Sequence, residues 1–367
     1  MKRPMQKTLL AMTTAALLGG VGVAQADGKL NIYNWSDYIA EDTIANFEKE
    51  TGIQVTYDVY DSNDVLDAKL LTGRSGFDIV VPSNNYLTKQ IKAGVYLELD
   101  HSKLPNMSNL NPELMKQMES IDSGSAHSIP YLWGTNGIGY NVEKVEAALG
   151  GEAPPNSWAL IFDPKYSSKL SSCGISMLDS ADEMLPNALV YLGLDPNSNN
   201  ADDIKKAEEL LLGVRKDITY FHSSRYISDL ANGDICVAAG FSGDIFQAAA
   251  RAEEAENGIE IKYIIPEEGA TLWFDMLAIP KDSSNPDNAH AFINYILRPD
   301  VIAPITDYVA YANPNKASNE LVDEEVFSDP AIYPSDEVMS RLYVNVPRSM
   351  AGQRLMTRAW SRIKSGR

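Results

Sequence analysis

The chain has 367 residues, sets 50 acidic against 31 basic side chains for a formal charge of −19, and contains two cysteines and four histidines. That acidity argues against a nucleic-acid or anionic-lipid partner and for solubility and the attraction of cations. The length suits two lobes with their own cores, and after the first 26 residues no segment approaches the roughly 18 to 20 apolar residues of a membrane span.

The opening places Lys2, Arg3 and Lys7 before an uncharged stretch from Thr8 to Val23, then Ala24-Gln25-Ala26 and the acidic Asp27. Basic start, short apolar centre and A-x-A ending are the pattern of a secretory signal, so residues 1–26 are expected to be removed. Loss of those three basic residues takes the formal charge from −19 to −22.

Beyond Asp27 the chain repeats a short β-rich run, a polar corner and an amphipathic helix, the pattern of α/β layers with mostly parallel strands. The first unit is Leu30 to Tyr33, the corner Trp35-Ser36-Asp37-Tyr38, and a helix through Ile44 and Phe47 that stops at Gly52. A second runs from Gln54 to Val59 and through a helix from about Asp64 to Gly73; a third has Phe77 to Val81 as strand, Ser83 to Asn85 as loop, and a helix to Gly94. Gly134 to Asn141, "GTNGIGYN", is too irregular for a dinucleotide fingerprint and reads as a crossing between lobes.

Further along, a strand near Gly174 to Leu178 leads to Asp179 and Asp182 before a helix, and Ile235 to Ala239 leads to the corner Gly240 to Asp244. Trp273 to Ile279 is strand-like with Asp275 inside it, and a carboxylate in an apolar run must be paired or face a ligand. In open α/β sheets ligands bind outside the carboxyl ends of strands, which is where these corners lie. Capping a helix N-terminus is the ordinary role for Ser36, Asp37, Asp182 or Asp244. Capping needs no aromatic, however, and Trp35, Tyr38, Phe241 and Trp273 stand beside three of the carboxylates. A ligand with an alkyl stem and ammonium ends needs both: aromatic faces for methylenes and cations, carboxylates for N–H groups.

Catalytic motifs are missing: the chain has no G-x-S-x-G, H-E-x-x-H, C-x-x-C or P-loop pattern, and His101, His127, His222 and His290 lack ligand spacing. His222, in "FHSS", is expected to be structural. Cys173 and Cys236 make an even pair, as one disulfide in an exported protein requires, with a metal or catalytic role as the alternative. From Ser340 onward there are seven basic residues and no acidic one, but Leu355, Met356, Ala359, Trp360 and Ile363 form a helical stripe that reads as a docked helix.

The segments "YNWSDYI", "YDVYDSNDVLDAKLLTG", "FDIVVPS", "IPYLWGTNGIGYN", "YFHSSRYISDLANGDICVAAGFSGDI", "WFDMLAIPKD", "YANPNKAS" and "TRAWSRIKSG" resemble the periplasmic polyamine-binding proteins of bacterial ABC importers, in particular their putrescine-binding branch. The resemblance covers essentially the whole mature chain. It implies a type II solute-binding fold, two lobes of mostly parallel sheet flanked by helices with a hinge between them. The N-terminal lobe is expected at 27–133 and 262–309, the C-terminal lobe at 134–261 and 310–367.

The same resemblance implies a periplasmic monomer that binds a polyamine, delivers it to an inner-membrane ABC permease, and has no enzymatic activity, cofactor, metal or nucleic-acid partner. Carried over, Trp35, Ser36, Asp37, Tyr38 and Ser83 line one side of the cleft. Asp182, Phe241, Asp244 and Tyr311 approach from the other, with Trp273 and Asp275 near the second crossing. Asp244 and Asp275 then anchor one ammonium, Asp37 and Asp182 hold the far end partly through water, and Trp35, Trp273, Phe241 and Tyr311 sandwich the stem. Cys173 and Cys236 match the family's disulfide. Phe241 stands where relatives often carry Trp, and Trp273 and Asp182 occupy positions that vary between diamine and triamine binders; putrescine is the expected ligand, spermidine the next.

Overall fold

The computed structural model describes residues 28–366 apart from Ser120, so the expected leader lies outside the described residues. Ten strands are present among them: β1 (Lys29–Trp35), β2 (Gln54–Tyr60), β3 (Ile79–Val80), β4 (Ser128–Asn141), β5 (Ile175–Met177), β6 (Tyr220–Phe221), β7 (Val237–Phe241), β8 (Ile261–Ile264), β9 (Thr271–Ala278) and β10 (Tyr343–Val344). They follow the order β2-β1-β3-β9-β4-β7-β5-β6, with β10 on β9 and β8 on β4. β1 runs parallel to β2 and β3, and β5 parallel to β6 and β7. Helices return the chain between these strands, as parallel pairing demands.

The central pair is antiparallel. β4 pairs with β9 from Ser128 to Thr135 and with β7 from Asn136 to Tyr140, so one strand passes from the first lobe into the second. Cores lie on either side. The first lobe buries Leu30, Ile32, Phe47, Ile79 and Ile293 in one cluster and Leu66, Leu87 and Phe274 in another. The second buries Trp158, Phe162, Leu185, Val237 and Ile245. Met356, Ala359, Trp360 and Ile363 of the C-terminal helix Met350–Ser365 complete that second core. Cys173 and Cys236 are disulfide-bonded with their Cα atoms 5.4 Å apart, tying the segment before β5 to that before β7.

The lobe boundaries differ from the expected ones in two places. β8 pairs with the second-lobe half of β4, so residues 262–264 belong with the second lobe. Residues 311–339 run over the first lobe: Trp133 N–H donates to Ala312 O, Asn111 N–H to Pro314 O, and the Trp133 ring meets Tyr333. Only after β10 does the chain return, which makes the stretch from Asn345 to Ser349 a third crossing, held to Asn197 and Asn199 of the second lobe.

The corner after β1 is longer than expected and those before Asp182 and Asp244 are shorter, and none of the singled-out residues caps a helix with its side chain. The helix after β1 is Thr43–Thr51, whose N-cap is Asp42, leaving Ser36 and Asp37 free of that role. Asp182 and Asp244 lie inside the first turns of Ala181–Tyr191 and Ser242–Glu254, near helix N-termini without a side-chain cap bond.

Candidate functional site

Between the lobes is a cavity with about 490 Å³ of empty volume, lined from both sides and by the crossing strands. β1 delivers Trp35 at its last residue; the indole N–H donates to Val81 O at 2.9 Å, which fixes the ring. Phe241 ends β7 on the facing lobe, 6.3 Å from Trp35 between ring centroids and edge-on to Trp273 at 5.8 Å. Trp273, Tyr38 and Tyr311 close the box through tilted and edge contacts of 5.2 to 6.5 Å. Such rings present negative faces to a cation and apolar faces to its stem.

Three buried carboxyls line this box. Asp244 accepts the hydroxyls of Tyr226 at 2.6 Å and Tyr311 at 2.8 Å. Its pKa is nonetheless pushed up to about 7, because burial outweighs those hydrogen bonds and Asp37 adds repulsion. Asp275 accepts from Ser83 Oγ at 2.5 Å, and Ser83 is held by Asn63 through both its hydroxyl and its N–H. Burial raises Asp275 to about 7, with the Ser83 and Tyr38 hydroxyls opposing and Glu183 adding to the rise. Glu183, bonded by Asn136 Nδ2 at 2.6 Å, is likewise raised to about 7 by burial, with Asp182 and Asp64 nearby. The lining contains no lysine, arginine or histidine, so nothing in the wall neutralises these groups. A cation entering the cavity does, and in a water-poor site that attraction is strong.

Of the residues expected here, Trp35, Ser36, Tyr38, Ser83, Phe241, Asp244, Trp273, Asp275 and Tyr311 line the cavity; Asp37 and Asp182 do not. Asp37, at a left-handed φ of 53°, turns outward and pairs with Arg251 of the other lobe at 2.6 Å, while Gln247 donates to its carbonyl. Asp182 faces Lys89 at 3.9 Å and accepts from Gln353 Nε2. Tyr311 comes from the first lobe, not the second: it follows the helix Pro299–Val309 and packs in the first-lobe core, while its ring edge lies against Gly243 and its hydroxyl donates to Asp244 across the cleft.

Sequence reasoning passed over Tyr60, Asp61, Glu183, Ser223, Ser224 and Ile227, which also line the cavity. Tyr60 and Asp61 stand at the end of β2, where the strand-end rule applied elsewhere would have found them. Ser223 and Ser224 follow β6; His222 beside them is structural, its Nδ1 accepting the N–H groups of Ser224 and Arg225. No group of His, Cys, Asp and Glu among the described residues is arranged to hold a metal ion.

Residues 42–334 match the bacterial extracellular solute-binding protein family. The chain is 57% identical over 361 residues to the putrescine-binding periplasmic protein SpuD of Pseudomonas aeruginosa, covering 98% of each. To the putrescine-binding periplasmic protein PotF of Escherichia coli it is 52% identical over 365 residues, covering 99% of each. Among solved structures, a putative spermidine/putrescine ABC transporter from Listeria monocytogenes superposes with a TM-score of 0.82 at 34% identity, over 92% of this chain and 99% of that one. An aromatic, acid-lined cavity between two lobes and similarity along the whole described fold lead to one assignment: the chain belongs to the bacterial extracellular solute-binding proteins, which bind small molecules rather than transform them.

Proposed function

We propose that this protein is a periplasmic receptor that binds putrescine in the interlobe cavity and delivers it to an ABC permease. The observation that carries the reading is three buried carboxyls and six aromatic residues around one cavity without a basic side chain. A linear diammonium supplies what this wall lacks. One ammonium meets Asp244 near the Phe241 and Tyr311 rings, the other meets Asp275 with Glu183, and Trp35 and Trp273 cover the methylenes. Asp37 and Asp182 act at the rims, through the ion pairs that join the lobes. Asp61 and Glu183 bring the lining carboxyls to four, two more than a diamine neutralises, which makes the triamine spermidine the second reading. The basic, apolar and A-x-A pattern of residues 1–26 supports export, and the net acidity supports a monomer with no nucleic-acid partner.

The test is calorimetric titration of the mature, ligand-stripped protein with putrescine, cadaverine, spermidine, spermine and a neutral amino acid. One-to-one binding of putrescine at or below ~1 μM, about −8 kcal/mol, is expected. Heat from the amino acid and none from any amine would overturn the assignment.

A further inference from the structure

Asp182 sits one residue before Glu183 yet faces a different space, a smaller pocket of about 220 Å³ that it shares with Lys89, Asn345 and Gln353. These four residues come from separate parts of the molecule. Lys89 belongs to the first-lobe helix Asn84–Lys92, Asp182 to the first turn of a second-lobe helix, Gln353 to the C-terminal helix, and Asn345 to the third crossing. The amide nitrogens are committed, with Asn345 Nδ2 donating to Asp182 O at 2.9 Å and Gln353 Nε2 to Asp182 Oδ1 at 3.2 Å. That orientation leaves Asn345 Oδ1 and Gln353 Oε1 buried without a donor. Buried acceptors without donors are rare in native proteins and call for a partner.

Lys89 is the complementary group. Its ammonium carries three N–H donors, lies 3.9 Å from Asp182 Oδ2, and remains one-third exposed. The pocket's other cation, Arg348, is already held by the carbonyls of Pro196 and Ser198. Lys89 therefore shares one pocket with two acceptors that lack a donor. We propose that Lys89, Asp182, Asn345 and Gln353 form a clasp that holds the lobes together and slows ligand release without touching the ligand.

The clasp is wired to both walls of the cavity. Asn345 O accepts from Asn84 Nδ2 at 3.2 Å, and Asn84 follows Ser83, the residue that bonds Asp275. On the opposite side Asp182 precedes Glu183, which lines the same cavity. Engaging Lys89 thus holds the Ser83 and Glu183 walls at a common spacing. The distant Asp37–Arg251 pair joins the lobes elsewhere and leaves these acceptors unaffected.

The inference rests on the cavity being the amine site, so the unaltered mature chain is titrated with putrescine first. Dissociation is then followed by stopped flow for Lys89→Met, Lys89→Arg, Asp182→Asn and the Lys89→Met/Asp182→Asn pair. Lys89→Met should speed release about five- to twentyfold and leave association within about twofold. Lys89→Arg should recover most of the slow release, and Lys89→Met should add little once Asp182 is Asn. An unchanged release rate in Lys89→Met, or an effect of full size in the Asp182→Asn background, would overturn the clasp. Should the unaltered chain bind no putrescine, the amine assignment fails separately. Small-angle scattering of the ligand-free proteins then decides the clasp, which requires a larger radius of gyration for Lys89→Met and is refuted by equal radii.

Discussion

Asp244, Asp275 and Glu183 owe their behaviour to burial: water that would solvate the charge is excluded, and the available hydroxyl and amide donors only partly replace it. Each has a folded pKa of about 7, above its ordinary value. A raised carboxyl contributes stability that is full below its unfolded pKa and lost as pH rises through the folded one. Amine binding has the opposite sign, because an ammonium needs the carboxylate ionised. Putrescine affinity should therefore climb from pH 5 to 7, by up to about tenfold per pH unit for each carboxyl that must lose its proton. Over the same interval these groups destabilise the ligand-free protein. Asp275→Asn should weaken binding by about 2–4 kcal/mol, flatten part of the affinity profile, and remove part of the pH dependence of melting. Calorimetry and thermal melts at pH 5, 6 and 7 read both trends, and an affinity independent of pH would contradict them.

Strand β4 shows how an element prepares the site. The glycines of "GTNGIGYN" are places where other groups lie directly on the backbone. A Cβ at Gly137 would collide with Ile264 O, and one at Gly139 with the Ile245 side chain. At Gly134 two of the neighbours line the cavity, Trp273 Cζ2 at 2.8 Å and Tyr311 Cδ1 at 2.9 Å from where a Cβ would stand, and Ser242 Oγ lies at 2.9 Å. Gly134→Ala should push the two rings toward the ligand, lower stability by about 1–3 kcal/mol through overpacking, and weaken putrescine binding. A variant that melts and binds like the wild type would show that the rings relax elsewhere. Helix placement matters as well, since Asp244 lies in the first turn after β7, where the positive helix end partly offsets the cost of burying its charge.

For the whole molecule, three crossings and two rim ion pairs join the lobes. The Asp37–Arg251 pair is about 40% exposed on each side, which limits it to about 1 kcal/mol or less. The anchoring carboxyls are buried and far less screened. The net charge of −19 attracts a diammonium over longer distances, and salt removes that attraction beyond a Debye length of about 10 Å at 0.1 M. Between about 20 and 500 mM salt, the putrescine association rate should fall several-fold while the dissociation rate changes less than about twofold. Stopped-flow measurements separate the two rates. Loss of all binding at moderate salt would point instead to attraction at the surface.

Local patterns were legible where their cause is local. The alternation in Leu30 to Tyr33, the Gly52 stop, the stripe of Met356, Ala359, Trp360 and Ile363, and the run around Asp275 each arise from neighbours a few residues apart, so the sequence alone determined those elements and the strand ends where a site should form. The acid and aromatic corners, with the family resemblance, carried the polyamine reading as far as sequence could. Tertiary structure decided which side chains meet. Ser223, Glu183 and Asp61 converge only because distant strands end at one cleft; Tyr311 changes lobe because the chain doubles back after Val309. Asp37 and Asp182 leave the cavity because Arg251 and Lys89, remote in sequence, face them across the rims. Those outcomes depend on the packing of the two lobes, and no spacing along the chain encodes that distance.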